Sequence, residues 1–191
     1  MNPLESPLWP SVVVFAAAAA PAPAIAATYL GVESAQRSMF PEAQSFEEVK
    51  IVPTPVEQQV ILRAAGPQAP HGNLRAWIAR RDGATLGFVF VDEVVGREDF
   101  ITYAVGIDGE GRLRPVEILE YRESHGGEIR NRRWLAQFSG RSNAGELRFR
   151  TDIKNIAGAT LSCEHVTAGV RRVLAIWNTL LRPAAQPAEA R

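Results

Sequence analysis

The C-terminal part of the chain has the clearest alternation of apolar and polar positions. Its apolar residues recur at steps of three and four, the spacing of one face of an α-helix. They are Val166, Val170, Val173, Leu174, Trp177, Leu180 and Leu181. The pattern predicts an amphipathic helix that begins near Thr160 and ends near Leu181, because Pro183 cannot continue it.

The middle of the chain has short apolar segments separated by turn residues. Segments rich in Val, Ile, Phe and Tyr predict β-strands at residues 59–63, 74–80, 85–92, 100–107 and 113–121. Asp82-Gly83 and Asp108-Gly109 are typical of hairpin turns. Connections this short exclude the crossovers that parallel neighbours need, so an antiparallel meander is expected.

Helical patterns flank the predicted strands. Residues 33–40 predict a helix that stops at Pro41, and residues 128–138 predict another after the polar loop 123–127. A short extended piece is expected at residues 146–150. The fold class is therefore α+β: one antiparallel meander sheet with helices packed on it, the last of them C-terminal.

The N-terminus differs from the rest of the chain. Residues 12–20 are wholly apolar, Pro21 and Pro23 follow, and the small-x-small sequence of residues 24–26 is typical of a signal peptidase site. The apolar run is shorter than the ~20 residues of a spanning helix. We therefore expect a signal peptide at residues 1–26, with an uncleaved N-terminal anchor as the alternative. One domain then covers residues 27–182, and a disordered tail covers residues 183–191.

Charge and cysteine content narrow the function classes. The chain has 21 Lys and Arg against 21 Asp and Glu, so nothing indicates a nucleic-acid partner. Cys163 is the only cysteine, which excludes an internal disulfide and a thiolate metal cluster. It is either a reactive thiol at a helix start or, as we prefer, a small residue on the helix without a reactive role. His71, His125 and His165 lack ligand spacing, so no metal site is expected.

The run Ala-Gly-Ala-Thr-Leu-Ser at residues 157–162 opens the C-terminal helix. A helix N-terminus has unpaired N–H groups and the positive end of the macrodipole, so a phosphate at Thr160 would lie in a favourable field. Gly158 and Ala159 leave room for it. The alternative is that Thr160 or Ser162 only caps the helix, which spacing alone favours.

These residues, together with the loop Glu-Ser-His-Gly at 123–126 and Trp-Leu-Ala-Gln-Phe at 134–138, resemble the FMN-binding domain family. The resemblance implies FMN as the cofactor, joined to Thr160 through a phosphoester bond. It also implies a partner, a separate flavin transferase that uses FAD and a divalent cation. The isoalloxazine ring would supply the redox chemistry, and the protein would position it.

The resemblance also implies which residues contact the flavin. They are Gly158, Ala159, Leu161 and Ser162 around the phosphate and Glu123, Ser124, His125 and Gly126 near the ring and ribityl chain. For the second group, a glycine-rich turn without ligand contacts is an equal alternative. Trp134 either stacks on the ring or belongs to the core. No residue is predicted to be catalytic.

The chain departs from the family pattern at two positions. Ala157 replaces the usual serine three residues before the acceptor, and Lys154 replaces an acidic residue six before it, with Asp152 two residues further upstream. The reversed charge at Lys154 either weakens docking of the transferase or pairs with a flavin phosphate directly.

We therefore predict an exported electron-transfer flavoprotein, periplasmic or extracytoplasmic and attached to the inner membrane if the N-terminal segment is retained. It would relay electrons between membrane-bound or periplasmic redox partners. The alternatives are an exported flavin-binding sensory module and a small-molecule flavin reductase. The chain has no second cofactor motif and no nucleophile triad, which favours a carrier or subunit over a stand-alone enzyme.

Overall fold

The computed structural model describes residues 27–28, 30–66, 74–123 and 125–182. The predicted signal peptide at residues 1–26, the predicted tail at residues 183–191 and Ser124 lie outside the described residues.

Within the described residues, an antiparallel sheet of six strands forms the centre of the fold, in the order β1-β6-β5-β4-β3-β2. The strands are β1 (Ala27–Thr28), β2 (Ser45–Val49), β3 (Arg75–Arg81), β4 (Ala84–Val95), β5 (Phe100–Asp108) and β6 (Leu113–Tyr121). Strands β3 to β6 pair with their sequence neighbours, so the predicted meander is confirmed. β1 and β2 extend it at both edges and were not predicted.

Both predicted hairpins are present. In the β3–β4 turn, Asp82 and Gly83 have φ values of 50° and 79°, which is the left-handed pair that a type I′ turn needs. In the β5–β6 turn, the Asp108 carboxylate accepts hydrogen bonds from the N–H groups of Glu110 (3.0 Å) and Arg112 (2.9 Å). Each turn is therefore stabilised by its own residues.

The strand predicted at residues 59–63 is wrong, because this segment belongs to helix α2 (Pro55–Ala65). Thr54 and Glu57 form a reciprocal capping box: the Thr54 hydroxyl accepts from the Glu57 N–H at 3.3 Å, and the Glu57 carboxylate accepts from the Thr54 N–H at 2.8 Å. Pro55 at the first helical position adds a second start signal. These local signals outweigh the strand propensity of the β-branched residues.

The single helix predicted over residues 128–138 is divided into two short turns. A 3-10 turn (Gly127–Arg130) comes first, and helix α3 (Arg132–Leu135) follows. Asn131 lies between them with extended backbone, and its side chain accepts from the Arg133 N–H at 2.9 Å. Asn131 therefore ends one turn and starts the next.

The extended piece predicted at residues 146–150 is also wrong. A 3-10 turn (Ala144–Glu146) includes its first residue. Among the described residues, the only β-pairing of this segment is one isolated bridge between Phe149 and Ile153. The Arg148 N–H donates to the Asp152 carboxylate at 3.0 Å, and this bond closes a tight turn in place of a strand.

The other helices follow the predictions. Helix α1 (Val32–Met39) matches the expected helix at residues 33–40 within one residue at each end. Helix α4 (Thr160–Ile176) continues as a π-helical turn (Trp177–Leu181), so the apolar stripe runs as far as predicted. Together with the sheet, these helices confirm the α+β class.

The helices cover the two faces of the sheet. The apolar side of α4 packs with α3 on one face, whose buried residues include Phe90, Val105 and Ile118. Helix α1 covers part of the opposite face, where Met39 and Phe40 pack on the other side chains of β4 and β5. Helix α2 lies beside the C-terminal half of α4.

A buried polar network joins α4 to the sheet. The Asp92 carboxylate, 1% exposed, accepts a hydrogen bond from the Tyr103 hydroxyl at 2.7 Å and forms an ion pair with Arg172 of α4. Burial, reinforced by the Asp92 charge, raises the pKa of Tyr103 well above its usual value. The network therefore fixes how α4 sits on the sheet.

Candidate functional site

Thr160 is the first residue of α4, and its partly exposed side chain lies at the helix N-terminus. Ala159 occupies the N-cap position and makes no side-chain hydrogen bond to the helix. The alternative that Thr160 or Ser162 is the cap is therefore wrong. Because alanine offers no acceptor, the N-cap residue supplies no side-chain partner to the first-turn N–H groups of α4.

The surface beside Thr160 is open. Gly158 is exposed with φ at 88°, and a Cβ built there would meet no atom within 4 Å. Ala157, the residue in place of the family serine, is also exposed. The positive φ is the reason that residue 158 is glycine. The space above the first turn of α4 can therefore accommodate a group the size of a phosphate.

The structure brings the predicted loop against the first turn of α4. The Tyr121 hydroxyl donates to the His125 carbonyl oxygen and lies 3.2 Å from the Ser162 hydroxyl oxygen. A Cβ on Gly126 would lie 2.6 Å from the Tyr121 hydroxyl and 3.5 Å from the Cα of Ala159. Glycine is therefore required at position 126 by this close approach. Ser162 is buried, whereas His125 is exposed next to the open surface.

Glu123 has a structural partner in another loop. Its carboxylate accepts hydrogen bonds from three successive N–H groups in the β4–β5 turn, those of Arg97, Glu98 (2.7 Å) and Asp99 (2.9 Å). This arrangement resembles a cap on the turn and occupies one carboxylate oxygen. Glu123 therefore holds the β4–β5 turn beside the loop that carries His125, and its predicted role as a flavin contact stays a prediction.

His165 lies about one helical turn after Ser162 in α4. It was not among the predicted site residues. Its Nδ1 contacts the carbonyl oxygens of Val95 and Gly96, the latter at 3.1 Å. Since carbonyl oxygens only accept, Nδ1 carries the hydrogen. His165 thus ties α4 to the same β4–β5 turn that Glu123 holds. No spacing in the sequence indicates this contact.

Asn155 is a second residue that the sequence interpretation missed. Its side-chain amide donates to the Thr160 hydroxyl oxygen at 3.0 Å. The bond leaves the Thr160 hydroxyl hydrogen available to another acceptor, because the amide uses only one lone pair of the oxygen. Asn155 lies five residues before Thr160, so its proximity in the sequence is the signal that could have found it.

An open cleft of about 560 Å³ lies next to Asn155. We call it the Lys154 cleft; its lining includes Asn131, Arg133, Gln137, Arg141, Lys154 and Asn155. The backbone of Lys154 is held on both sides, since its N–H donates to the Gln137 side chain at 2.9 Å and its carbonyl accepts from Trp134 Nε1 at 2.6 Å. The Lys154 side chain is exposed.

Trp134 and Cys163 belong to the core. Trp134 is buried and makes an edge-to-face contact with Phe138, with ring centroids 5.1 Å apart. Its indole N–H is already bound to the Lys154 carbonyl oxygen, so the core alternative for Trp134 is confirmed. Burial raises the pKa of the Cys163 thiol, which favours the unreactive thiol form. Cys163 is therefore a small buried residue of α4.

The described part of the chain has neither a metal-ligand cluster nor a membrane-spanning helix. No group of three or more His, Cys, Asp or Glu side chains there is placed to hold a metal ion. Among the same residues, no helix has the length and apolar character needed to cross a bilayer.

The residues present at the start of α4 fit a flavin phosphate. The uncapped first turn supplies N–H donors, Asn155 supplies an amide donor, and the space beside Gly158 is open. A flexible ligand could also contact the surface on one side of Thr160. This surface includes Leu161, which is 44% exposed, and the nearby loop at His125. The N–H donors of this site are of the kind that binds anions.

Part of this chain is similar to known proteins. Residues 96–175 match the family model of the FMN-binding domain. The chain is also similar to the G subunit of the Na⁺-translocating ferredoxin:NAD⁺ oxidoreductase complex of Acetobacterium woodii, at 24% identity over 156 residues, which covers 76% of this chain and 73% of the relative. The predicted resemblance and the predicted cofactor, FMN, are thereby confirmed. The match to the FMN-binding domain family thus covers β5, β6 and the first sixteen residues of α4.

Proposed function

We propose that this protein is an exported electron-transfer flavoprotein that carries one FMN, joined by a phosphoester bond to Thr160, and relays electrons between membrane-bound or periplasmic redox partners. The FMN-binding domain supports the cofactor. The relative from Acetobacterium woodii is part of an ion-translocating oxidoreductase complex, which supports electron transport at a membrane. The observation that carries the attachment site is the partly exposed Thr160 hydroxyl at the open first turn of α4.

The attachment step needs a nucleophilic hydroxyl that a separate enzyme can reach. The Thr160 oxygen forms a bond to the FMN phosphorus of FAD, the bond between the two FAD phosphates breaks, and AMP leaves. The hydroxyl proton passes to a base of the flavin transferase. Asn155 fits this step because it donates to the Thr160 oxygen and leaves the proton free to depart.

The first turn of α4 also suits the product. A phosphodiester on Thr160 carries one negative charge, and a helix N-terminus stabilises such a charge by about 0.3–1 kcal/mol when it is exposed. The N–H groups left without a side-chain cap at Ala159 become donors to the phosphate oxygens. The bound flavin supplies one- and two-electron redox chemistry, and the residues around His125 and Gly126 orient its ring.

Intact mass tests the attachment. The chain is co-expressed with a flavin transferase, and its mass should rise by one FMN minus one water. Thr160→Ala should abolish the increase, whereas Thr151→Ala, which removes an exposed hydroxyl nine residues upstream, should keep it. An unmodified wild-type chain in the presence of an active transferase would contradict covalent attachment.

Two further measurements test export and electron transfer. N-terminal sequencing of the chain isolated from intact cells should give a start at Ala27 if the signal peptide is cleaved. Redox titration of the flavin-loaded protein should give reversible reduction and reoxidation without a bound small-molecule substrate. Turnover that requires a small-molecule acceptor would favour the flavin reductase alternative, and a flavin that does not exchange electrons with membranes would favour the sensory one.

A further inference from the structure

The Lys154 cleft adjoins the proposed attachment residue through Asn155, which lines the cleft and donates to the Thr160 hydroxyl oxygen. We propose that it is an anion-binding site for the phosphate group of a flavin nucleotide, with Asn155 as the link between the cleft and the Thr160 hydroxyl. The identity of the anion rests on the proposed function, whereas the site itself does not. Lys154 then pairs with the phosphate directly, which is one of its two alternative roles.

The charge of the cleft favours an anion. Its lining contains three basic side chains, Arg133, Arg141 and Lys154, and one acidic side chain, Asp152. Asp152 is already bound to Arg148 at 2.8 Å, and this hydrogen bond lowers the pKa of Asp152 to about 2. Neither Arg133 nor Lys154 forms a salt bridge with any residue that the structure describes. Their charges therefore remain uncompensated at the rim of the cleft.

The third cation is held in place by carbonyl groups. The Arg141 guanidinium donates to the carbonyl oxygens of Gln137 (2.8 Å), Glu146 (3.1 Å) and Asp152 (3.4 Å). Carbonyl oxygens do not cancel its charge, so Arg141 contributes a fixed positive potential to the cleft wall. Arg133 and Lys154, whose side chains are exposed, can then adjust to the ligand.

Asn155 connects the cleft to the hydroxyl. The Asn155 amide has two N–H hydrogens, and the bond to Thr160 uses one of them. The other is available to a phosphate oxygen in the cleft, which the same residue lines. A phosphate there would lie within the reach of the residue that also contacts the attacking oxygen. The cleft would thus hold the phosphate close to Thr160 before the bond forms and shield its charge afterwards.

The site is largely preformed. Two hydrogen bonds fix the Lys154 backbone to Gln137 and Trp134, and Trp134 is itself packed in the core. The segment that carries Lys154 and Asn155 is therefore ordered without a ligand, so binding requires only the exposed side chains to settle. A preformed site loses less affinity to ordering than a loop that folds on binding.

Direct binding tests the cleft without any transferase. The full chain, purified from cells that lack a flavin transferase, is titrated with inorganic phosphate, FMN and riboflavin, and backbone amide shifts are followed by NMR. Phosphate and FMN should shift the amides of Arg133, Lys154 and Asn155 and should compete with each other. Riboflavin, which has no phosphate, should not displace inorganic phosphate. Shifts elsewhere for phosphate would overturn the proposal.

The chain offers a matched control because Lys50 is its only other lysine, and it is exposed and outside the lining of the cleft. Lys154→Asp should weaken phosphate binding by at least about fivefold, because it removes a charged hydrogen-bond partner and adds repulsion. Lys50→Asp changes the net charge equally and should alter affinity by less than about twofold. Equal losses in the two variants would mean nonspecific attraction and would overturn the site.

Different results would contradict the covalent attachment at Thr160 and the anion site in the Lys154 cleft. If the wild-type chain gains the FMN mass but phosphate does not perturb the cleft, the cleft inference is wrong and the covalent attachment stands. If phosphate and FMN bind the cleft but no mass increase occurs with an active transferase, the attachment is wrong and the anion site stands. Asn155→Ala provides a further check, since it should weaken phosphate binding while leaving the unfolding midpoint within a few degrees of wild type.

Discussion

The Tyr103 hydroxyl occupies the position that a side chain on Gly169 would need. A Cβ built on Gly169 would lie 2.1 Å from the hydroxyl oxygen and 2.8 Å from the ring carbon that bears it. The hydroxyl cannot move away easily, because it donates to the buried Asp92 carboxylate at 2.7 Å. Helix α4, which begins at the proposed flavin attachment residue, thus approaches the sheet as closely as a glycine allows.

Gly169→Ala should destabilise the protein despite the better helix propensity of alanine. Propensity favours alanine by roughly 1 kcal/mol, whereas overpacking a buried site costs roughly 1–3 kcal/mol, and the two contacts below 3 Å place this site at the upper end. We expect a net loss of about 2 kcal/mol in the free energy of unfolding, measured with urea. Gly109→Ala, where a Cβ meets only the Leu86 carbonyl oxygen at an ordinary 3.7 Å, is the control and should change it by less than about 0.5 kcal/mol.

The same clash predicts a coupling between the two positions. In a Tyr103→Phe background the atom at 2.1 Å is absent, so Gly169→Ala should cost less there than in the wild-type protein. An equal cost in both backgrounds would show that the hydroxyl is not the obstacle.

Tyr103 should make stability fall at alkaline pH. Its pKa is raised in the folded protein, chiefly by burial and further by the Asp92 charge, so above a pH of about 10 the unfolded chain loses a proton that the folded protein retains. The free energy of unfolding should then decrease by up to about 1.4 kcal/mol per pH unit from this group. Urea unfolding between neutral and alkaline pH measures the slope. In Tyr103→Phe the slope should become shallower by that amount; an unchanged slope would contradict the assignment.

Glu123→Ala should release the β4–β5 turn. The carboxylate is the acceptor for the N–H groups of Arg97, Glu98 and Asp99, and alanine leaves them without that partner. Hydrogen exchange at these amides should accelerate by about tenfold or more, since losing a bond to a charged group is worth roughly 1.5–3 kcal/mol. Exchange in the β3–β4 turn should not change, and it serves as the internal control. Equal acceleration in both turns would point to global destabilisation.

Asp152 should titrate at unusually low pH because of Arg148. The hydrogen bonds from the Arg148 side chain and N–H are the main reasons that the pKa of Asp152 is lowered to about 2. A lowered pKa means that this pair contributes stability above the ordinary carboxyl pKa of about 4, and the contribution is lost as the pH falls toward 2. Carboxyl NMR shifts should follow this titration. Arg148→Gln should raise the Asp152 pKa toward the ordinary value, whereas Arg112→Gln, which removes a guanidinium bound to Glu110 instead, should not.

Elements with local signals were the ones predictable from the sequence. The apolar stripe of α4 and the two Asp-Gly turns specify their own geometry, and the structure contains all three. Helix α2 also has a local signal, Thr54-Pro55 followed by Glu57, although the apolar residues within 59–63 are equally compatible with a strand. Strand β2 had no such signal. Strand β2 is polar, and its Glu47 and Glu48 form ion pairs with Arg80 and Arg75 of the neighbouring strand β3. Only its pairing with β3 therefore makes this segment a strand.

The candidate site also has a part that local sequence predicts and a part that only the tertiary structure brings together. The run around Thr160 could be recognised because helix start, small residues and hydroxyl are contiguous, and Asn155 lies only five residues away. The Tyr121 bridge between His125 and Ser162 joins residues about forty positions apart and depends on the close approach at Gly126. His165 and Glu123 each bond to the β4–β5 turn, and these contacts too join residues that are far apart in the sequence. Contacts between residues this far apart in the sequence produce no periodic pattern, so the sequence does not predict them.

By itself, the sequence determined the α+β class, the amphipathic C-terminal helix and the Thr160 run, because periodicity, turn chemistry and contiguous motifs act over a few residues. Only the tertiary structure decided that Ala159 rather than Thr160 or Ser162 is the cap, and that α4 lies against the loop at Gly126. It also placed the basic side chains of the Lys154 cleft together. These features depend on backbone approach and charge placement between distant segments, which follow from packing the whole sheet and not from any local pattern.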